Sequence, residues 1–365
     1  MAPPPHPSPY ADAHKSLNGP GDARPTAYQI LKDEGVVGKM TDKTFLVTGG
    51  TAGLGLETVR QLAKTGARVF FTARDEEKAK AAVDGLLEEG KTDAELKDAR
   101  VEWVKIDHSS LKSVKEGTED FLERSDQLDV LVCNAGISQT PYAITEDGFE
   151  NQLATNHLSH FYLFHLLKPL LLRSSTPAFN SRVIVVASAS HAMSTVQLGN
   201  YKLDQPPKEH FDPLCDLGDN GVHNPMILYG SSKTAQIWFS NEIDRRYGAS
   251  GLHSLSLHPG NIVTAGYGRL DPRVAEKLGG LMSDEGIMKT FKSVEQGAAT
   301  QVLAAVGKGW EGVGGVYLDE CGVSRLLEDG EMGAINGHRP WIYDEQGAER
   351  LWKDSCEMVG LEVEE

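Results

Sequence analysis

Short apolar runs alternate with amphipathic stretches along most of the chain. Residues 44–48, 68–72, 101–106, 128–133, 182–187 and 252–257 read as apolar segments of strand length. Between them, apolar positions at helical spacing predict helices over 54–64, 76–88, 111–123, 149–172 and 231–247. A further helix over 294–306 precedes a last strand at 314–318. Strands that are apolar on both faces belong to a parallel sheet covered by helices on each side. Right-handed crossovers then predict an α/β fold with a doubly wound parallel sheet, whose ligand crevice lies at the carboxyl ends of the strands.

The rhythm breaks at the ends and at two insertions. Residues 1–25 are rich in Pro, Ala, Gly and Asp, lack periodicity and predict a flexible tail, with a short helix at 26–34. Residues 26–365 then form one domain. Within it, 192–227 is long, polar and rich in Pro, Gly and Asp, the pattern of a substrate lid, and 261–288 is a candidate flap. Residues 340–361, with Trp341, Tyr343 and Trp352, read as a closing segment. No internal repeat is present.

Composition narrows the setting. Of 365 residues, 40% are hydrophobic and 24% charged, which is globular. A net charge of −16 argues against nucleic acid or an anionic membrane as the main partner. No apolar run approaches the ~20 residues that span a bilayer, and the start lacks the order of a signal peptide. Cys133, Cys215, Cys321 and Cys356 lie far apart without a CxxC pair, as in a reducing cytoplasm.

The chemistry gathers at the ends of the expected strands. Thr48-Gly49-Gly50-Thr51-Ala52-Gly53-Leu54-Gly55 joins a strand to a helix N-terminus. Glycine lets backbone approach a phosphate, and the free helix N–H groups favour its charge. Tyr229 and Lys233 are four apart on a helix, so phenol and ammonium share a face. The ammonium favours phenolate and lowers the phenol pKa, which suits Tyr229 to protonate a carbonyl oxygen or deprotonate an alcohol. Ser188 ends the strand RVIVVA on the crevice side, where its hydroxyl can hold a substrate oxygen. Asn156 falls inside a long helix, an unfavourable position that asks for a reason. His157, His160 and His165 share that helix, but no acid or Cys stands at matching spacing, and no metal site is expected.

Taken in order, these motifs resemble the short-chain dehydrogenase/reductase family in its single-domain, Rossmann-type form. The resemblance runs from residue 44 to about 264, and more loosely to 318. It rests on TGxxxGxG at 48–55, Asp107, Asn134-Ala135-Gly136, Asn156, Ser188, Tyr229/Lys233 and the PGxxxT of Pro259-Gly260-Asn261-Ile262-Val263-Thr264. Ala52 stands where the extended relatives that act on nucleotide sugars carry a glycine, which argues against that branch. The resemblance implies a catalytic tetrad of Asn156, Ser188, Tyr229 and Lys233. It implies a nicotinamide cofactor touched by Gly49, Thr51, Gly53, Leu54, Gly55, Arg74, Asp107, His108, Asn134, Ala135, Gly136, Tyr229, Lys233, Pro259, Gly260, Ile262 and Thr264. Cys133 replaces the first Asn of the family's NNAG, and His108 a usual Leu. The 187–191 and 72–75 stretches are similar to the retinol-dehydrogenase-like branch, and the 21–25 and 341–347 stretches to fungal members, often found in secondary metabolism.

At the end of the second strand an acid would grip the ribose 2′-OH of NAD. Thr72 and Ala73 are neutral there, Arg74 offers a planar cation suited to phosphate, and Asp75 reads as a helix cap. NADP(H) is therefore favoured over NAD(H). The expected function is hydride transfer between nicotinamide and a small ketone, aldehyde or secondary alcohol, with Tyr201, Phe211 and Tyr267 suggesting an apolar or aromatic substrate. Alternatives are a cofactor-binding but inactive redox sensor, or a same-site enzyme without net hydride transfer. The resemblance also implies a homodimer paired through the helices of Asn156 and Tyr229.

Overall fold

A computed structural model describes residues 8–218, 220–263, 268–281, 283–328, 331, 333 and 335–363. Helix α1 (Ala27–Glu34) precedes β1 (Thr44–Val47) and α2 (Gly53–Lys64). Then come β2 (Arg68–Ala73), α3 (Glu76–Glu89), β3 (Arg100–Lys105), α4 (Leu111–Arg124) and β4 (Val130–Cys133). Short α5 (Asn151–Leu153), a π-helical turn over Ala154–Leu158 and α6 (Ser159–Ser174) lead to β5 (Ser181–Val186). The second half holds α7 (Pro225–Tyr247), β6 (Leu252–Leu257), α8 (Pro272–Leu281), α9 (Glu285–Thr290), α10 (Val294–Gly297) and α11 (Ala299–Val306). It closes with β7 (Val316–Asp319), β8 (Gly322–Val323) and α12 (Glu345–Met358).

The strands form one sheet in the order β3-β2-β1-β4-β5-β6-β7-β8. β1 to β7 pair in parallel, with Phe45 beside both Val69 and Val130, and β8 turns back antiparallel on β7. The chain reverses its winding between β1 and β4, which opens a crevice there. Successive strand residues feed opposite cores. Phe45, Val47, Val69, Phe71, Val130, Val132, Ile184 and Val186 pack with α1, α2, α3 and α11. Leu46, Phe70, Leu131, Cys133, Val183 and Val185 pack with α4, α6, α7 and α12. Two covered faces explain why these strands read as continuous apolar runs.

Five differences from the sequence reading matter. The expected helix at 149–172 is broken by the π turn that carries Asn156. The helix expected from residue 231 starts at Pro225, because Asn224 Oδ1 accepts from Met226 N and Ile227 N and proline fits the first helical position. Tyr229 thus lies inside α7. The stretch 294–306 is two helices that meet at Ala298. β8 gave no signal, since its turn uses Glu320 and Cys321 at positive φ rather than glycine.

The fifth difference is the tail. Its described part, from residue 8 to 25, is packed rather than loose. Arg24 is 3% exposed. It donates to Asp22, to the Thr290 carbonyl at 2.8 Å and to the Phe291 carbonyl at 2.5 Å. Gln296 binds this loop from the other side, accepting from Gly21 N and donating to the Arg24 carbonyl. Polar composition had suggested disorder, but here polar groups are satisfied across the chain.

α12 lies along α6 and α7, with Trp352 buried against Phe161, Phe164 and Phe239. The closing segment is thus a helix that packs on α6 and α7. Among the described residues, no helix is long and apolar enough to cross a membrane.

Candidate active site

The carboxyl ends of the strands open onto a cleft of about 580 Å3. Its floor is the turn between β1 and α2. Gly49 (φ 71°) and Gly53 (φ 54°) take the left-handed conformation. A Cβ on Gly55 would stand 2.1 Å from the Gly49 carbonyl oxygen. The requirement at Gly53 is thus conformational and at Gly55 steric. Ala52 caps α2 without a side-chain acceptor, so the first turn keeps N–H groups for an anion.

Thr51, Leu54, Arg74, Asp107, His108, Asn134, Ala135, Gly136, Tyr229, Lys233 and Pro259 line the same cleft with Gly49, Gly53 and Gly55. Asn134 Nδ2 donates to the Thr48 carbonyl at 2.9 Å and locks β4 to β1. Asp107 accepts from Ser109 N and Ser109 Oγ. Arg74 is exposed at the rim, while the Asp75 carboxylate accepts from Lys78 N and caps α3. The Cys133 thiol is fully buried, and burial pushes its pKa up.

Several expected residues stand elsewhere. His108 lines the cleft, but both ring nitrogens bond inward, to Thr72 Oγ1 at 3.0 Å and Ser159 Oγ at 3.1 Å. Gly260 (φ 101°) and Ile262 stand behind Pro259, beside Lys292 and Gly297 respectively. Thr264 and Tyr267 lie outside the described residues. Tyr201 points its hydroxyl to Asp354 on α12 rather than toward the crevice, and Phe211 packs with the lid. A larger cavity, about 1130 Å3, follows the β7–β8 edge and is lined by none of the expected site residues.

Asn156 is fully buried. Its Oδ1 accepts from Ile137 N at 2.9 Å, and its Nδ2 donates to the Ile137 carbonyl at 3.0 Å and Ser232 Oγ at 2.9 Å. A Cβ on Gly136 would stand 3.1 Å from Asn156 Oδ1 and 3.7 Å from Lys233 Nζ, so Gly136 makes room for both. One turn from Tyr229, Lys233 Nζ donates to the Val186 carbonyl at 3.1 Å and Gln236 Oε1 at 2.7 Å. It lies 5.6 Å from the centre of the Tyr229 ring. Burial lowers the Lys233 pKa to about 7. Ser188 follows β5, and its Oγ accepts from Ser190 N at 3.1 Å. His191 donates from Nδ1 to the Ser188 carbonyl at 2.8 Å, which fixes this turn.

Sequence reasoning missed Lys78, Arg269, Ser232 and Gln236. Lys78 lines the cleft one turn after Arg74, a spacing that was legible. Arg269 reaches the cleft from the flap, and no local pattern announces it. The lid has its own small core of Met193, Leu203, Cys215, Met226 and Ile227, shared with Val274 of α8. Lys277 Nζ also donates to the Asp216 carbonyl at 2.6 Å. The 192–227 insertion and α8 thus pack against each other. Trp341, from the closing segment, donates to the His191 carbonyl at 3.3 Å.

Comparison with known proteins points the same way. The sequence profile described as short chain dehydrogenase matches residues 43–202. The chain is 46% identical over 352 residues to short-chain dehydrogenase/reductase prx1 of Penicillium roqueforti, covering 96% of this chain and 95% of that one. It is 36% identical over 342 residues to human retinol dehydrogenase 14, covering 91% of each. Among solved structures, a blue fluorescent protein from a metagenomic library in complex with NADPH shares the fold. The TM-score is 0.53 at 24% identity, over 76% of this chain and 95% of that one.

Proposed function

Because the chain belongs to the short-chain dehydrogenase family, we propose that it is an NADP(H)-dependent carbonyl reductase or alcohol dehydrogenase acting on a small ketone, aldehyde or secondary alcohol. The observation that carries this reading is the Lys233 ammonium, buried within 5.6 Å of the Tyr229 ring centre and bonded to neutral acceptors. The Gly49–Gly55 turn fits a bound dinucleotide, since a Cβ at Gly55 would fill the space the turn needs. When bound, the nicotinamide supplies or accepts the hydride.

The protein's own groups handle the proton and the oxygen. In reduction Tyr229 gives its phenolic proton to the substrate oxygen as hydride arrives at the carbonyl carbon; in oxidation it takes that proton back. When charged, Lys233 stabilises the phenolate form of Tyr229 from one turn away. Ser188 Oγ, already accepting one bond, offers its O–H to the substrate oxygen. Asn156 holds the Ile137 segment and, through Ser232, the α7 backbone at Tyr229. Arg74 and Lys78 at the rim, with Asp75 engaged as a cap, support NADP(H) over NAD(H). The NADPH held by a structural relative of the same fold agrees.

The test is Tyr229→Phe, assayed by NADPH oxidation with a panel of ketones and aldehydes. NADPH binding should persist, measured by fluorescence, while turnover falls at least ~100-fold. Unchanged turnover sinks the mechanism.

A further inference from the structure

Two buried histidines lie beneath the cofactor cradle, and the hydride-transfer chemistry uses neither. His108 and His160 are 8% and 0% exposed, with ring centres 4.9 Å apart. Each receives a threonine hydroxyl from the end of a neighbouring strand. Thr48 Oγ1 lies 2.9 Å from His160 Nε2, and Thr72 Oγ1 lies 3.0 Å from His108 Nε2. Each reaches the π turn with its other nitrogen. His160 Nδ1 lies 2.9 Å from the Asn156 carbonyl. His108 Nδ1 lies 3.1 Å from Ser159 Oγ, which donates to the Thr155 carbonyl.

The proton inventory assigns both tautomers. Thr48 Oγ1 accepts from Asn134 N at 2.9 Å and Ala135 N at 2.8 Å, so both lone pairs are used. Its hydrogen must go to His160 Nε2. The other end agrees, because a carbonyl only accepts and Nδ1 must carry the proton. Ser159 Oγ has given its hydrogen to Thr155, so His108 also donates from Nδ1 and accepts at Nε2. Burial holds both rings neutral, with the His160 pKa lowered to about 4.

The same threonines support the cradle directly. Thr72 Oγ1 accepts from Gly49 N at 3.0 Å, and Thr48 fixes Ala135 on the opposite wall. We infer that His108 and His160 are positioning residues: a pair of neutral Nδ1–H struts that couple the nucleotide cradle to the π turn holding Asn156. The inference rests on the dehydrogenase reading for its kinetic consequence, but the tautomers and the coupling to cofactor binding do not need turnover. A π turn strains the helix hydrogen-bond ladder and recurs at functional sites. Here His160 Nδ1 and Ser159 Oγ, both on α6, satisfy its carbonyls, and Thr48 and His108 hold those two side chains from the strand ends, so a shift of the Gly49 or Ala135 backbone is felt at Thr155 and Asn156.

Three measurements test this on the full chain. With 15N-labelled histidine, His108 and His160 should show the neutral Nδ1–H tautomer between pH 6 and 8, and their ring signals should shift on adding NADPH. A different tautomer, or signals that stay fixed while NADPH binds, overturns the proposal. His160→Asn keeps a donor at the Nδ1 position and loses the Nε2 acceptor. NADPH affinity should weaken ~5-fold or more, while kcat with 9,10-phenanthrenequinone stays within ~3-fold of wild type. His160→Leu loses both bonds and should lower kcat by a further ~10-fold. If His160→Asn behaves like His160→Leu, or neither changes affinity, the strut is wrong. Wild-type protein that neither binds nor oxidises NADPH instead refutes the dehydrogenase reading, and the tautomer measurement still decides this one.

Discussion

The Lys233 ammonium sits one helical turn from Tyr229, 5.6 Å from its ring centre, with the Val186 carbonyl and Gln236 Oε1 as its acceptors. A buried cation held by neutral oxygens is poorly compensated, and its pKa falls from 10.5 to about 7.

That shift makes stability depend on pH. Between about pH 7 and 10.5 the unfolded chain carries the Lys233 proton and the folded chain does not. Stability of the cofactor-free protein therefore rises with pH across this window, and the full penalty is present below it. Lys233→Met should flatten the rise and stabilise the fold by about 1 kcal/mol or more at neutral pH, while abolishing turnover. Chemical denaturation of both proteins at pH 6.5, 8 and 9.5 checks this. A wild-type stability that falls from 6.5 to 9.5 by as much as that of Lys233→Met contradicts it.

Arg74 and Lys78 stand at the cleft rim, one turn apart. Arg74→Ala should weaken NADPH binding more than ~10-fold, or about 1.4 kcal/mol, and leave NADH nearly unchanged. Adding Lys78→Ala should weaken NADPH further. Titration with both cofactors separates the outcomes: equal losses for NADH and NADPH would remove these residues from 2′-phosphate recognition.

Arg24 ties the N-terminal loop to Thr290 and Phe291, and the next residue, Lys292, donates from its backbone to the Asn261 carbonyl at 2.8 Å. The loop after β6 therefore leans on a residue 237 positions earlier in the chain. Arg24→Ala leaves carbonyls unpaired and the buried Asp22 carboxylate without its cation. The Asp22 pKa is now lowered to about 2, because hydrogen bonds from Arg24 and nearby backbone outweigh the upward effect of burial. The expected cost is about 2–4 kcal/mol in stability. Asp12→Ala, which removes an exposed ion pair with Lys15 in the same tail, should cost far less. Thermal melts of the two variants give the comparison, and a melting point for Arg24→Ala equal to wild type would mean that the loop is not a clamp.

Local sequence determined the sheet and its ligand edge. Apolar runs such as 44–48 and 128–133 must be buried on both faces, and a TGxxxGxG turn closes only at the end of such a strand. The Tyr229–Lys233 pairing was legible because helical spacing is a local property. Other features depend on partners distant in the chain. The spacing of 149–172 matches an unbroken helix. The break at Asn156 comes from contacts with Ile137, Ser232, His160 and Ser159, two of them outside the segment. Arg24 looks like a tail residue until Thr290 and Phe291 are brought to it. His108 and His160 are 52 residues apart, and only the winding of β1 beside β2 and β4 stacks them under one cradle. Periodicity records which face of an element is buried. Which buried polar atom meets which is decided by packing, since a hydrogen bond needs both partners within about 3 Å and the sequence does not hold that distance.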